Sequence, residues 1–188
     1  MNKRMAVVLA AGKGTRMKSN QLKVLHKING ITMIEHTVRA VRKAGVDQVV
    51  TIIGTDGEEI QQVLTGQSEC AIQEKQLGTA HAVLQAKSIL EGQPGTTLVV
   101  NGDGPLLTGE TLERLYDFHE QSGASGTVLT AIASLPNDYG RNVRDEAGNV
   151  QKIVETKDCD EKELQITEVN SGVFIFDNQK LFELLLSL

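Results

Sequence analysis

Met5-Ala6-Val7-Val8-Leu9-Ala10-Ala11-Gly12-Lys13-Gly14-Thr15-Arg16-Met17 is the stretch on which the fold turns. It opens with a short apolar run centred on Val7, Val8 and Leu9, the pattern of a strand buried on both faces, as in a parallel sheet. Two glycines follow at once, at the carboxyl end of the strand, where open α/β sheets bind ligands. The spacing excludes two common phosphate motifs. A dinucleotide fingerprint would need its third glycine at Met17, and a P-loop needs four residues between its first glycine and its Gly-Lys pair. What remains is a turn whose backbone N–H groups can converge on an anion, with Lys13, Arg16 and Lys23 sharing the charge. An ordinary strand-to-loop turn beside solvated lysines has the same local pattern, so the glycines alone leave both readings open.

Charge sharpens the choice. Lys3, Arg4, Lys13, Arg16, Lys18, Lys23 and Lys27 all precede the first acidic residue, Glu35, although the whole chain carries a net −5. An anion site near the N-terminus is implied, whereas the overall acidity, with four Phe, two Tyr and no Trp, argues against a nucleic-acid binder. A content of 40% hydrophobic and 23% charged residues over 188 positions excludes fibrous and disordered classes and suggests one domain that needs no disulfide or structural metal. Cys70 and Cys159 form no Cys-x-x-Cys pair, so zinc and dithiol chemistry are unsupported and a reduced, cytoplasmic setting is expected. Lys3-Arg4 before the apolar run loosely mimics a secretory signal, but the run is at the lower limit of length and basic residues resume directly. No stretch approaches the ~18 apolar residues of a membrane span.

Further along, buried-strand and helical periods alternate. Helix is predicted from Met33 to a cap at Gly45, strand at Val49 to Ile53, helix at Glu58 to Leu64 and a short strand at Cys70 to Gln73. One long helix is then expected from Thr79 to Leu90, a strand at Leu98 to Val100, and a helix capped by Thr108 running to about Gln121. Strand follows at Thr127 to Ala133. After Pro136 the style changes to a hairpin of Gly140 to Arg144 with Val150 to Val154, then a strand at Val173 to Phe176 and a helix at Gln179 to Leu186. The alternation predicts a Rossmann-like three-layer α/β sandwich with a mostly parallel sheet, to which the second half adds a small β-rich lid or subdomain.

Leu9-Ala10-Ala11-Gly12-x-Gly14-Thr15-Arg16-Met17 followed by Lys23-Val24-Leu25-His26 resembles the signature of the sugar-nucleotide pyrophosphorylases. It is most similar to the bacterial N-acetylglucosamine-1-phosphate uridylyltransferases, which form the N-terminal half of a bifunctional enzyme. Gln73 to Ala82, Gly102-Asp103-Gly104-Pro105-Leu106, Tyr139-Gly140-Arg141, Val154 to Asp158 and Glu168 to Gly172 agree with it, in family order. The resemblance implies the reaction of UTP with N-acetylglucosamine 1-phosphate to UDP-N-acetylglucosamine and pyrophosphate, feeding cell-wall precursor synthesis. Its nucleophile is an already anionic phosphate oxygen. No general base is needed, and the difficulty is to bring two polyanions into line.

By resemblance, Leu9, Ala10, Ala11, Gly12 and Gly14 cradle the nucleotide, Arg16 stabilises the transferred phosphoryl group and the departing pyrophosphate, and Lys23 bridges the phosphates of both substrates. Arg16 and Lys23 are the expected catalytic pair. Asn101, Gly102 and Asp103 are implied to contact the substrate, with Asp103 the Mg²⁺ ligand, although Asn-Gly and Asp-Gly pairs also mark plain turns. Gln73, with Gly78 and Thr79, is expected to read the uracil, and Gly140, Glu155 and Asn170 the sugar. The four histidines are assigned no role.

The sequence departs from the family pattern at several points. Leu22 replaces a proline before Lys23, Gly104 a bulkier residue after Asp103, Asn142 an apolar strand residue, and Ile31-Thr32 a Lys-Pro pair. The chain stops at Leu188, ahead of the family's second metal-binding Asn and of the acetyltransferase half through which family trimers form. The expectation is therefore one uridylyltransferase domain, truncated at its C-terminus. A pyrophosphorylase for another sugar or nucleotide, and a non-catalytic nucleotide-sugar binding module, are the rival expectations.

Overall fold

Met5, Ala6, Val7 and Val8, from the run predicted as a doubly buried strand, are wholly excluded from solvent within β1 (Lys3–Ala10). The computed structural model describes residues 3–12, 14 and 17–187. A two-residue hairpin, β2 (Lys27–Ile28) with β3 (Ile31–Thr32), leads into α1 (Met33–Lys43). Next come β4 (Gln48–Ile53), α2 (Glu58–Val63), β5 (Glu69–Ile72), α3 (Thr79–Leu84), α4 (Lys87–Leu90), β6 (Gly95–Asn101) and α5 (Gly109–Ser122). The chain continues through β7 (Gly126–Ile132), β8 (Arg141–Arg144), β9 (Val150–Val154), β10 (Glu168–Asp177) and α6 (Asn178–Leu185). It forms two compact units, one of Met1–Thr127 with Phe174–Leu188 and the other of Val128–Val173.

In the larger unit, β1 is flanked by parallel β4 and parallel β6, β5 extends the β4 side, and the last residues of β10 run antiparallel to β6. Alternate residues of β1 face opposite layers, as the period of two requires. Met5 and Val7 join Val50, Ile52 and Val99 against Ala82, Val83, Ala86 and Leu90 of the α3–α4 stretch and Leu181, Phe182 and Leu185 of α6. On the opposite side α1 packs on α5. Each fully buried Val, Leu or Ile contributes ~1.5–3 kcal/mol relative to exposure, so this apolar sandwich is what holds the loops above it in place. Among the described residues, no helix is long and apolar enough to cross a membrane.

The capping box of α1 shows why the helix starts where it does. Thr32 Oγ1 accepts from the Glu35 N–H at 3.3 Å and Glu35 Oε2 accepts from the Thr32 N–H at 3.1 Å. Thr32, half of a pair that departs from the family pattern, thus supplies the N-cap, a contribution of about 1 kcal/mol.

Two expected elements need correction. The single helix from Thr79 to Leu90 is divided into α3 and α4: the Gln85 and Ala86 N–H groups bond three residues back, to Ala82 O and Val83 O, and the His81 carbonyl accepts from the Gln85 side chain at 2.8 Å. The i→i−4 ladder loses its partner at that carbonyl and the chain tightens into i→i−3 bonds. The predicted strand at Val173 to Phe176 is only the end of the ten-residue β10.

In the smaller unit, β8 and β9 form the expected antiparallel hairpin, Val169 of β10 pairs with Arg141, and β7 pairs with β10. The Arg141 guanidinium is buried and donates to Asn137 Oδ1 at 2.9 Å and to Asn137 O at 3.0 Å. Beside it, Asn142 is 2% exposed and, among the described residues, neither its Oδ1 nor its Nδ2 has a partner.

Candidate functional site

From β1 the chain builds outward through β4 to β5 on one side and then returns to β6 on the other. β1 is therefore the switch point of the sheet, and a crevice opens beyond the carboxyl ends of its strands. The register aligns those ends. Leu9 lies opposite Asn101 of β6, Ala10 opposite Ile53 of β4, and Ile53 opposite Ile72 of β5, so Gln73 emerges beside the glycine turn. A cavity of about 480 Å³ lies there. Leu9, Ala10, Ala11, Gly12 and Gly14 line it from β1, Lys23 and Val24 from the next loop, Asn101 and Asp103 from the end of β6, and Gln73, Gln76, Gly78, Thr79 and Ala82 from the β5–α3 side.

Gly14 and Lys23 are built as a pair. Gly14 has φ +60°, and a Cβ on it would come within 2.5 Å of Lys23 Cβ. Only glycine permits that backbone and that approach. Lys23 opens a short 3₁₀ turn, Lys23–Leu25, anchored by the buried Val24 and Leu25. Leu22 before it has φ −56° and ψ 135°, a conformation that proline also adopts, so the replaced proline leaves its backbone geometry behind.

Asp103 is set by the turn after β6. The Gly102 N–H donates to Leu9 O at 2.8 Å and the Gly102 carbonyl accepts from Thr37 Oγ1 at 3.2 Å, which ties the turn to β1 and α1. Gly102 therefore underpins the site rather than lining it. Gly104 has no atom nearer to a prospective Cβ than Asn101 O at 3.7 Å, so a larger residue would fit and its absence does not misplace Asp103.

Lys23 Nζ donates to Asp103 Oδ2, with the two side chains 34% and 30% exposed. A pair this solvated adds little stability. Its meaning is chemical, because a cationic group already sits on the carboxylate oxygen inside the cavity. Among the described residues no group of three or more His, Cys, Asp and Glu could hold a metal. A lone carboxylate suits Mg²⁺, which takes one or two protein carboxylates and completes its shell with substrate phosphates and water.

On the other wall, the Gln73 backbone N–H donates to Ile53 O at 2.8 Å, and its buried side chain donates from Nε2 to Gly78 O at 3.2 Å. Gly78 has φ +106°, a region open to glycine alone, and so turns its carbonyl toward Gln73 before α3 begins. Gln76 Nε2 donates to Ala11 O at 2.6 Å and bridges this wall to the end of β1. Gln76, Val24 and Ala82 were missed by sequence reasoning. Gln76 and Ala82 stand within the Gln73 to Ala82 block, but only the folded loop turns them to the cavity.

Gly140, Glu155 and Asn170 lie in the smaller unit and are neighbours within it. The Asn170 N–H donates to Gly140 O at 2.8 Å, and Glu155 Oε1 would stand 3.6 Å from a Cβ on Gly140. Arg16 and Lys13 lie outside the described residues. Of the early basic cluster, Lys3 and Arg4 turn elsewhere: Lys3 Nζ donates to Gln48 and Gln93, while Arg4 pairs with Asp117 and Glu120 and lies 4.9 Å from the Tyr116 ring centroid. They begin β1, at the end of the sheet away from the glycine turn, so the charge read from sequence is divided between both ends.

The chain matches the nucleotidyl transferase family model over residues 5–187. It is 55% identical over 185 residues to the bifunctional protein GlmU of Lactobacillus johnsonii, and 54% identical over 185 residues to that of Listeria monocytogenes. Each match covers 98% of this chain and 40% of the relative, so the chain spans about two fifths of the length of these relatives. The crystal structure of a UDP-glucose pyrophosphorylase complexed with UDP-glucose superposes with a TM-score of 0.76 at 17% identity, over 98% of this chain and 79% of that one, a likeness of fold.

Proposed function

Since the chain belongs to the nucleotidyl transferase family, we propose that it transfers a uridylyl group from UTP to N-acetylglucosamine 1-phosphate, releasing pyrophosphate. The observation that carries this reading is the meeting of Lys23, Asp103, Gln73 and Gly78 in one cavity at the switch point of the sheet. A cation and a carboxylate stand at one wall of it and a base-sized polar edge at the other. Relatives named bifunctional protein GlmU, at 50–55% identity, support the choice of activity within the family.

An oxygen of the sugar phosphate attacks the α-phosphorus of UTP. The new P–O bond forms as the bond from the α-phosphorus to the bridging oxygen breaks, and pyrophosphate departs with the electron pair. The nucleophile is anionic before it arrives, so no side chain has to remove a proton. The protein's work is to hold both reactants in line and to offset their repulsion.

Lys23, placed by Gly14, bridges the phosphates of both substrates, and Arg16 meets the charge that gathers on the leaving pyrophosphate. Asp103 would hold Mg²⁺, which when bound draws charge off the triphosphate. Gln73 and the Gly78 backbone read the uracil edge, and Gly140, Glu155 and Asn170 engage the sugar. We place the reaction in the cytoplasm.

A coupled assay of pyrophosphate release from UTP, with N-acetylglucosamine 1-phosphate and Mg²⁺, tests the reading. Release that depends on both substrates is expected. Asp103→Ala should abolish the Mg²⁺-dependent part of UTP binding, and Arg16→Ala should lower turnover roughly 10²–10³-fold with a far smaller loss of sugar-phosphate binding. A chain that binds UDP-N-acetylglucosamine yet releases no pyrophosphate with any divalent metal would be a binding module instead.

A further inference from the structure

The amide of Gln73 is held in one orientation by two acceptors. Its Nε2 donates to Gly78 O at 3.2 Å and lies 2.9 Å from His81 Nδ1. The Gly78 carbonyl is itself held, because it also accepts from the Ala82 N–H at 3.1 Å. His81 offers its other ring nitrogen to the Gln85 amide only at 3.4 Å, and that amide already donates to the His81 carbonyl at 2.8 Å. A neutral imidazole has one accepting nitrogen. The Gly78 carbonyl requires the NH2 of Gln73 on this side, so with Gln73 donating, Nδ1 is the accepting nitrogen and the ring proton belongs on Nε2.

Turning the Gln73 amide over would set Oε1 against the Gly78 carbonyl oxygen, and would leave the Nδ1 contact intact only if the ring moved its proton from Nε2 to Nδ1. The clash with the carbonyl would be repulsive, within a side chain that is 4% exposed and has little water to relieve it. Both amide hydrogens are thus engaged by the protein, and among the described residues no donor reaches Oε1. The end of Gln73 left for a ligand in the cavity is an acceptor only.

That polarity distinguishes pyrimidines. Uracil carries an N–H at N3, whereas cytosine carries a lone pair there. A fixed carbonyl oxygen accepts from the first and repels the second, and a freely turning amide would tolerate both. We propose that His81 is a positioning residue that makes the cavity selective for uridine over cytidine nucleotides by locking the Gln73 amide. The inference rests on the reading above, in which Gln73 meets the base.

The test is the ratio of UTP to CTP affinity, measured by calorimetry with Mg²⁺ on the full chain and on His81→Leu, His81→Asn and Gln73→Leu. The wild-type chain should prefer UTP. His81→Leu, which removes the acceptor and keeps the bulk, should lower the ratio about tenfold, the scale of one hydrogen bond. His81→Asn should restore most of it, because Oδ1 can stand near the place of Nδ1. Equal weakening of both nucleotides in His81→Leu, an unchanged ratio, or no recovery in His81→Asn would overturn the role of His81. If Gln73→Leu collapses the ratio while His81→Leu does not, the locking inference alone fails. If Gln73→Leu keeps the wild-type ratio, or the wild-type chain binds neither nucleotide, the reading of the base by Gln73 fails with it.

Discussion

A single missing Cβ sets the distance between the glycine turn and its cation. Gly14 and Lys23 approach so closely that any side chain at 14 must move one of them, and φ +60° penalises an L-residue there as well. Gly14→Ala is therefore expected to lower kcat/KM for pyrophosphate release about tenfold or more, the scale of misplacing one charged group. Circular dichroism should meanwhile show the core of the sheet intact. A variant with wild-type kinetics would mean that Lys23 is not held by this contact. Burial pushes the Cys70 and Cys159 thiols up, away from the thiolate form.

The element that carries the least comfortable residue is β8. Asn142 sits opposite Ile153 of β9, buried, with both amide atoms unpaired among the described residues. A buried polar group without a partner forfeits its hydration for nothing, at a cost of ~1–3 kcal/mol, and β-branched side chains suit a strand better than amides do. Asn142→Val should therefore stabilise the chain by about 1–2 kcal/mol in urea unfolding, after allowance for a small gain in volume at a packed site. A drop in stability would show that the amide has a partner when the protein is in solution. α3 and α4 show a related effect, since a short run of i→i−3 bonds at Gln85 and Ala86 divides a helix that periodicity reads as continuous.

Across the whole molecule, ionisation works against acid stability. Burial pushes the His119 imidazole down, and the ring lies 2.8 Å from Thr127 Oγ1. The unfolded chain then binds more protons than the folded one as pH falls below the ordinary histidine range, so folding stability decreases. Glu35, bonded to Thr32, and Glu168, bonded to Arg144, are held below the usual carboxylate range and add a further loss at lower pH. Stability should decline in two stages on acidification. His119→Asn should remove the first, near pH ~6.5, and leave the second. Thermal unfolding of both proteins from pH 8 to pH 4 checks this, and a first stage that persists in the variant would assign it to another group.

The order of elements, the doubly buried central strand and the glycine turn at its carboxyl end were legible because each is local. Apolar runs, helical spacing and glycine placement act within a few residues. From the same local signals and the family resemblance came Lys23, Asp103, Gln73 and Gly78, which do share a cavity. Tertiary structure alone decided the rest. It sent Lys3 and Arg4 to the far end of the sheet and brought Gln76 onto Ala11 across 65 positions. It also set the ring of His81 against the amide of Gln73. Such contacts depend on strand register and on the competition among several partners for one hydrogen-bonding group, and no window of sequence contains all the competitors.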